Sequence, residues 1–497
     1  MFNPRERSQP ITFFAFLFFA CLLLCEIASA APSIALSKKS GPPTSKILVS
    51  GRGFEPNVGV DIFFDTKDKA LVVTNGEGEF HDVGIHAPRG AHPGEHWVTA
   101  LERNNDKGAQ QPFLVQTNWS QFHFDADGTR LNPYENVLNP KTVGSLGLKW
   151  SYTTGNEDEV SSSPAIANGV VYVASDDHSV YALKASTGRK LWSYKTGNQV
   201  GSSPAVANGV VYVGSWDHNV YALNASTGAK LWSYATGYGV DSSPAVADGV
   251  VYIGSYDYKM YALDASTGAK LWSYTTGKPV FSSPAVANGV VYVGSQDGNV
   301  YALSAHTGAK VWNYAVGNGV DSSPAVAYGV VYVGSGNGNV YALNASTGAK
   351  LWSYTTGNSV ESSPAVANGV VYVGSYDNNV YALNAINGVP LWSYTSGAVF
   401  SSPAVANGAV YVGSFNGVYA LDANTGVKLW SYATGDEVKS SPAVANGVVY
   451  VGSIDGNVYT FGLPRGDEGK QEDSRRPNLK ALRPDFNLKA YQPGADI

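Results

Sequence analysis

Between residues 148 and 463 apolar positions come in short bursts, each cut off by a turn signal before it can run long. From Ser202 to Val240 the bursts read SSPAVA, VVYVGS, VYALNA and AKLWSY. The interruptions fall at Asn208-Gly209, Trp216-Asp217-His218-Asn219, Ser226-Thr227-Gly228 and Thr236-Gly237. No stretch carries a 3.6-residue period, while Val, Tyr, Leu and Trp dominate between the turns, so the pattern predicts four short β-strands joined tightly in sequence. The second and third bursts are almost continuously apolar rather than alternating, which predicts sheets covered on both faces. The proline of the first burst cannot donate to a ladder, and this puts that strand at a sheet edge.

The same unit recurs. Its Ser-Ser-Pro-Ala core has prolines at Pro164, Pro204, Pro244, Pro284, Pro324, Pro364, Pro403 and Pro442, spaced by 40, 40, 40, 40, 40, 39 and 39 residues. A fixed period of this size marks supersecondary units that bury their faces against copies of themselves. Four-stranded units in radial array are β-propeller blades, so eight copies predict an eight-bladed ring. The last repeat stops at Val458 to Phe461 without a fourth strand, and Leu148 to Tyr152 precedes the first repeat as an orphan fourth strand. The two ends are therefore expected to share a blade. Tryptophan recurs on the fourth strand at 150, 192, 232, 272, 312, 352, 392 and 430, eight outer strands for eight blades, and these rings are expected to pack between blades.

The segment ALNASTGAKLW resembles the tryptophan-docking motif of the pyrroloquinoline quinone (PQQ)-type propeller repeat. Asn118 to Phe122, Asp127 to Arg130 and Leu146 to Gly155 are similar to the approach to the propeller in quinoprotein alcohol dehydrogenases. This resemblance spans about residues 118–463 and is specific for fold; the same repeat also serves non-enzymatic proteins, among them the propeller lipoprotein of the outer-membrane β-barrel assembly machine. For the dehydrogenases it implies PQQ covered by a disulfide of adjacent cysteines, with calcium held by Glu, Asn and Asp.

Outside the repeats the chain divides further. Arg5, Arg7, the apolar run Ile11 to Cys25 and the small residues Ala28-Ser29-Ala30 predict a signal peptide over 1–30, and an apolar run of that length is short for a membrane span. Residues 31–117 carry more charge and short strands. Gly51 to Pro56, Asp61 to Asp65 and Pro93 to His96 resemble small bacterial immunoglobulin-like sandwich modules. His81, His86, His92 and His96 are close in sequence but scattered over strands and loops, which favours surface roles over a metal site. Residues 118–147 are expected to be a linker in which Asp125 to Gly128 makes a turn rather than a calcium loop. The propeller is expected over 148–463, and the polar stretch 464–497 to be a disordered tail. The fold expectation is thus all-β: an eight-bladed propeller of four-stranded blades behind an N-terminal immunoglobulin-like β-sandwich.

The 33 Lys and Arg against 39 Asp and Glu, a net charge of −6, exclude the basic footprint of nucleic-acid binding. Both cysteines, Cys21 and Cys25, fall in the expected signal peptide, so a mature chain would have no disulfide or thiolate chemistry.

Copies within the chain diverge unequally. The Asn-Gly and Ser-Thr-Gly turns, which share one face of the ring, are nearly uniform. The loops after strand two and the residues preceding Ser-Ser-Pro share the other face and vary. That variable face collects Trp216, Tyr256, Tyr258, Phe281, Tyr376 and Phe400 with Asp241, Asp321 and Glu361, a mixture suited to sugars, peptides or cationic groups. The repeated loop acids (Asp177, Asp217, Asp257, Asp297, Asp377, Asp455) read as turn residues, and His178 and His218 as turn histidines. No catalytic residue and no metal ligand is assigned.

Two functions follow. The first is a non-catalytic binding or scaffold propeller without cofactor, secreted to the periplasm or exterior, with no membrane anchor after signal cleavage, taking a protein or glycan of the cell envelope. The alternative, carried by the resemblance alone, is a PQQ-dependent alcohol or sugar dehydrogenase using PQQ with calcium. Against it stand the missing mature cysteines and minimal blades without the insertions that roof a quinone.

Overall fold

The computed structural model describes residues 31–105, 107–155, 158–464 and 476–482; the expected signal peptide lies outside the described residues. Two sheets form an N-terminal β-sandwich. One pairs Ser33–Leu36, Lys46–Arg52 and Phe80–His86; the other has the order Ser40–Gly41, Gly108–Val115, Gly94–Glu102, Gly59–Phe64, Lys67–Val73. Ile47, Val49, Val60, Ile62, Phe64, Val98 and Phe113 fill the space between them. In Lys46–Arg52 every second side chain is buried, the period-2 signature of a strand with one wet face. His96 is held between the Asp65 carboxylate (2.7 Å) and the His92 carbonyl (2.8 Å), whereas the His81 and His86 side chains are exposed. Among the described residues no group of three or more His, Cys, Asp or Glu is placed to hold a metal.

The eight repeats are eight sheets whose blade strands run antiparallel in the order one to four, and in blade 7 Leu131–Asn132 adds a fifth strand parallel to Ala404–Ala406. Blade 1 consists of Ala165–Ala167, Val170–Ser175, Ser179–Lys184 and Lys190–Lys195. In blade 8 the inner three strands are Ala443–Ala445, Val448–Gly452 and Asn457–Gly462, and Gly147–Thr153 supplies the outer one, pairing Leu148 with Phe461, Ser151 with Tyr459 and Tyr152 with Val458. Second and third strands are buried on both faces, as their unbroken apolar runs require.

Outer-strand tryptophans join neighbouring blades. The Trp272 indole donates to the Ala305 carbonyl of the next blade at 2.9 Å, and the relationship repeats from Trp150 to Ala185 through Trp392 to Ala423; Trp430 meets Leu146 at the seam. The seven rings from Trp150 to Trp392 each pack over the glycine of a Ser-Thr-Gly turn or its counterpart, whereas Trp430 packs edge-on against Phe461. At Gly308, φ +71°, a Cβ would stand 2.6 Å from the Trp272 ring, so only glycine permits both the turn and the contact.

Two features close the centre. The backbone N–H of Ser163 donates to the Ser203 hydroxyl oxygen, and the same bond runs from Ser203 to Ser243, to Ser283, to Ser323, to Ser363, to Ser402, to Ser441 and back to Ser163, all at 2.8–3.0 Å. Only small side chains fit this inner rim, which explains the invariant second serine of the repeat.

The second feature corrects the reading of 118–147 as a plain linker. Residues 119–132 circle the channel once and meet every blade. Trp119 exchanges backbone bonds with Ile166, and Ser120 O, Gln121 Oε1, Ala126 O, Asp127 O, Thr129 O and Arg130 O accept from Val206, Val246, Val286, Val326, Val366 and Val405; Asn132 Nδ2 donates to Val444 O. Each inner strand has one edge paired to strand two and one facing the channel, and this plug satisfies the second. Arg130 is wholly buried within it, donating to the carbonyls of Phe122, Ser402 and Pro403, and burial lowers its pKa to about 9. Asp125 accepts from the Thr129 N–H and hydroxyl, the expected turn.

The tail is also corrected in part: residues 476–482 dock on the sandwich instead of being disordered. Leu482 packs with Phe63 and Leu101, and Arg476 lies over the Trp97 ring and donates to Gln110 at 2.5 Å. A polar composition hid this one apolar anchor.

Candidate functional site: the open mouth of the propeller

The plug and the sandwich occupy the face of the Asn-Gly turns, where Thr117 bonds both ways with the Asn446 side chain. The channel therefore ends blind on that side, and the variable face is its open mouth.

In the six variable loops that carry an acid, that acid is a strut. Asp217 Oδ1 accepts from the Asn219 N–H at 3.0 Å, and Oδ2 accepts from Tyr221 OH and from the Gly197 N–H, both at 2.7 Å; Asp297, Asp377 and Asp455 repeat the pattern. These carboxylates are consumed by the fold. The next residue adopts φ near +70°, at His178, His218 and Tyr258 alike, which turns its side chain out of the blade.

Eight of the nine residues expected on this face are brought to the mouth, all half-buried. Trp216 and Tyr256 have ring centres 4.5 Å apart, and Tyr256 and Phe281 4.1 Å. Across the opening Tyr376 and Phe400 pair at 4.4 Å, and Tyr376 OH donates to Glu361. Gln296 donates to Asp321. Burial raises the Asp241 pKa, against the Trp216 indole that favours the carboxylate. Asp321 is pushed up to about 6 by burial and by Glu361 and Asp241, with the Gln296 bond acting the other way.

Tyr258 is the exception. It sits in the left-handed turn slot, is 47% exposed, and makes no ring contact with the cluster among the described residues. It lies in the same variable loop as Tyr256 without joining the ring cluster, because loop neighbours two apart need not share a direction.

Sequence reasoning missed three participants. Tyr238, 51% exposed, stacks on His218 at 5.0 Å and stands 6.3 Å from Tyr256. Asp176 is raised to about 6 by burial and by Glu159, Asp241 and Asp158, with Lys439 opposing. Lys439 bridges Glu437 (3.2 Å) and Glu159 (3.9 Å). Comparing whole inter-blade loops, where Tyr238 replaces the Asn, Lys or Asp of other copies, would have exposed the first of these.

Ring, docked tryptophans and closing strand define a PQQ-type β-propeller. The chain belongs to the family described as outer membrane protein assembly factor BamB, whose model matches residues 141–241, 217–320, 296–404 and 395–484. Among solved structures it is similar to BamB from Moraxella catarrhalis, with a TM-score of 0.57 and 21% identity over 64% of this chain and 100% of that one. It is also similar to a quinohemoprotein alcohol dehydrogenase from Pseudomonas putida HK5, with a TM-score of 0.62 and 19% identity over 70% and 80%. A 1-butanol dehydrogenase (cytochrome c) from Thauera butanivorans is 33% identical over 82 residues, 16% of this chain and 12% of that protein. The chain thus spans about an eighth of the dehydrogenase it matches.

Proposed function

We propose that the protein is a non-catalytic propeller exported to the cell envelope, which binds a protein or glycan at the open mouth and carries its sandwich as an immunoglobulin-like spacer. The observation that carries this reading is the asymmetry of the two ends: one mouth is filled by the chain's own backbone, and the other presents half-buried rings and carboxylates. Half-buried acids cost stability and persist where a ligand uses them. The family's description as an outer-membrane assembly factor favours an envelope location.

The residues present do not fit PQQ. That quinone carries three carboxylates, and the mouth already holds Asp176, Asp241, Asp321 and Glu361, with its cation Lys439 engaged by Glu437 and Glu159. A polyanion would meet repulsion in a partly dehydrated site.

Capture of envelope proteins and glycans on the immobilised chain tests the proposal. Trp216→Ala, Tyr256→Ala and Tyr376→Ala are each expected to weaken capture by about 1–3 kcal/mol, whereas serine changes at Ser226, Ser266 or Ser346 on the opposite turns leave it intact. Dye reduction with added PQQ, calcium and a panel of alcohols and sugars would instead establish the dehydrogenase.

A further inference from the structure

We infer that the mouth selects a positively charged ligand, an arginine- or lysine-bearing stretch of polypeptide; this rests on the mouth being the working surface.

The chemistry is set by what surrounds the opening. Trp216, Tyr256 and Phe281 form one aromatic wall and Tyr376 with Phe400 another, and ring faces attract guanidinium and ammonium groups. Asp241, Asp321 and Glu361 stand among them, and the Asp321 carboxylate feels the charge of both others. Asp321 and Glu361 take bonds from Gln296 and Tyr376, and a carboxylate has lone pairs for further donors.

Geometry keeps this charge in the opening. At Gly201 a Cβ would stand 2.3 Å from Asp241 Oδ1, so the glycine leaves room for that carboxylate over the channel. Gly336 occupies the blade-5 position filled by Trp216, Tyr256 and Tyr376 in other blades, so no ring stands there, and the nearest neighbours are the Gly319 carbonyl and the Asn318 side chain. Lys439 lies between two glutamates, and the buried Arg130 of the plug is committed to three backbone carbonyls.

A cation entering here offsets the burial and the mutual repulsion that together raise the Asp321 and Asp176 pKa values. A neutral sugar would leave those acids dehydrated without a counter-charge, and an anionic glycan would add to the repulsion. Because the plug seals the far end, a polypeptide cannot thread the ring and must present a side chain or terminus.

Calorimetric titration of the full chain with an acetylated hexapeptide alternating glycine and arginine, its glycine–glutamate twin, and chitotetraose tests this. The arginine peptide is expected to bind and the glutamate twin not to. Asp241→Asn with Asp321→Asn, and separately Trp216→Ala, are expected to weaken arginine-peptide binding by about tenfold or more. Asp422→Asn, on the opposite turns, is expected to change it less than about twofold. Unfolding curves for each variant separate lost binding from lost fold. Equal binding of the glutamate twin, or undiminished binding by the double variant, overturns the inference. If chitotetraose binds, Trp216→Ala abolishes that binding and the arginine peptide stays silent, the mouth is still the working surface but its ligand is a neutral glycan. If neither probe binds and no mouth variant alters envelope capture, both readings fall.

Discussion

The backbone N–H of Ser441 donates to the hydroxyl oxygen of Ser163 at 2.9 Å across 278 positions of sequence, and this bond completes the circuit of eight around the channel. Every link buries a donor whose acceptor belongs to the neighbouring blade. Ser163→Ala is therefore expected to leave the Ser441 N–H unsatisfied and to cost about 1–3 kcal/mol in urea unfolding. A loss below about 0.5 kcal/mol would mean that water replaces the hydroxyl.

Truncation separates ring closure from the plug. Removing 31–117 is expected to leave a folded, soluble propeller. Removing 31–132 also takes away the carbonyls that accept from Val206, Val286, Val326, Val366 and Val405, so those amides are expected to lose hydrogen-exchange protection and the melting temperature to fall. Removing 31–152 deletes the outer strand of blade 8 as well, leaves an open edge, and is expected to cause aggregation. Identical exchange and solubility in all three would refute both roles.

Trp272, 8% exposed and bonded to Ala305, is expected to cost about 3–5 kcal/mol when changed to alanine. Gly308→Ala should be damaging from the other side of the contact, through its left-handed backbone and the clash with the same ring. Denaturant titrations of the two single variants and the double variant check this. Coupled rather than additive losses are expected, because the residues touch.

The acids of the mouth imply a stability that falls as pH rises. Asp321 has its folded pKa raised to about 6 from the ordinary 3.8, so the folded state binds the proton more tightly than the unfolded chain does. Stability therefore declines between about pH 4 and 6 and stays lower above that range. Asp321→Asn is expected to raise the melting temperature at pH 8 and to give no gain near pH 4. A variant equally or less stable than the parent at pH 8 would show that the carboxylate is not under strain.

Much of the architecture is written locally, because each strand, turn and docking residue repeats with the forty-residue period. Asn208-Gly209, the unbroken apolar second strand and Trp232 determine a blade by short-range chemistry, and the orphan strand at Leu148 determines closure. The sequence likewise determined which face varies, and so where Trp216, Tyr256 and Asp321 would be found. Tertiary structure alone decided the rest. The plug at 119–132 has no repeat of its own, and it is held chiefly by backbone groups, whose bonding leaves no trace in residue identity; Arg130 reaches Pro403 across 273 positions. Which loop residues meet was also decided in three dimensions. Tyr256 joins Trp216 and Phe281 while Tyr258, two residues on, is turned outward by a positive φ, and Asp241 faces the channel because Gly201 in the neighbouring blade has no side chain to block it. Period and propensity act along the chain, whereas these contacts depend on blade-to-blade rotation, which brings together loops about forty residues apart.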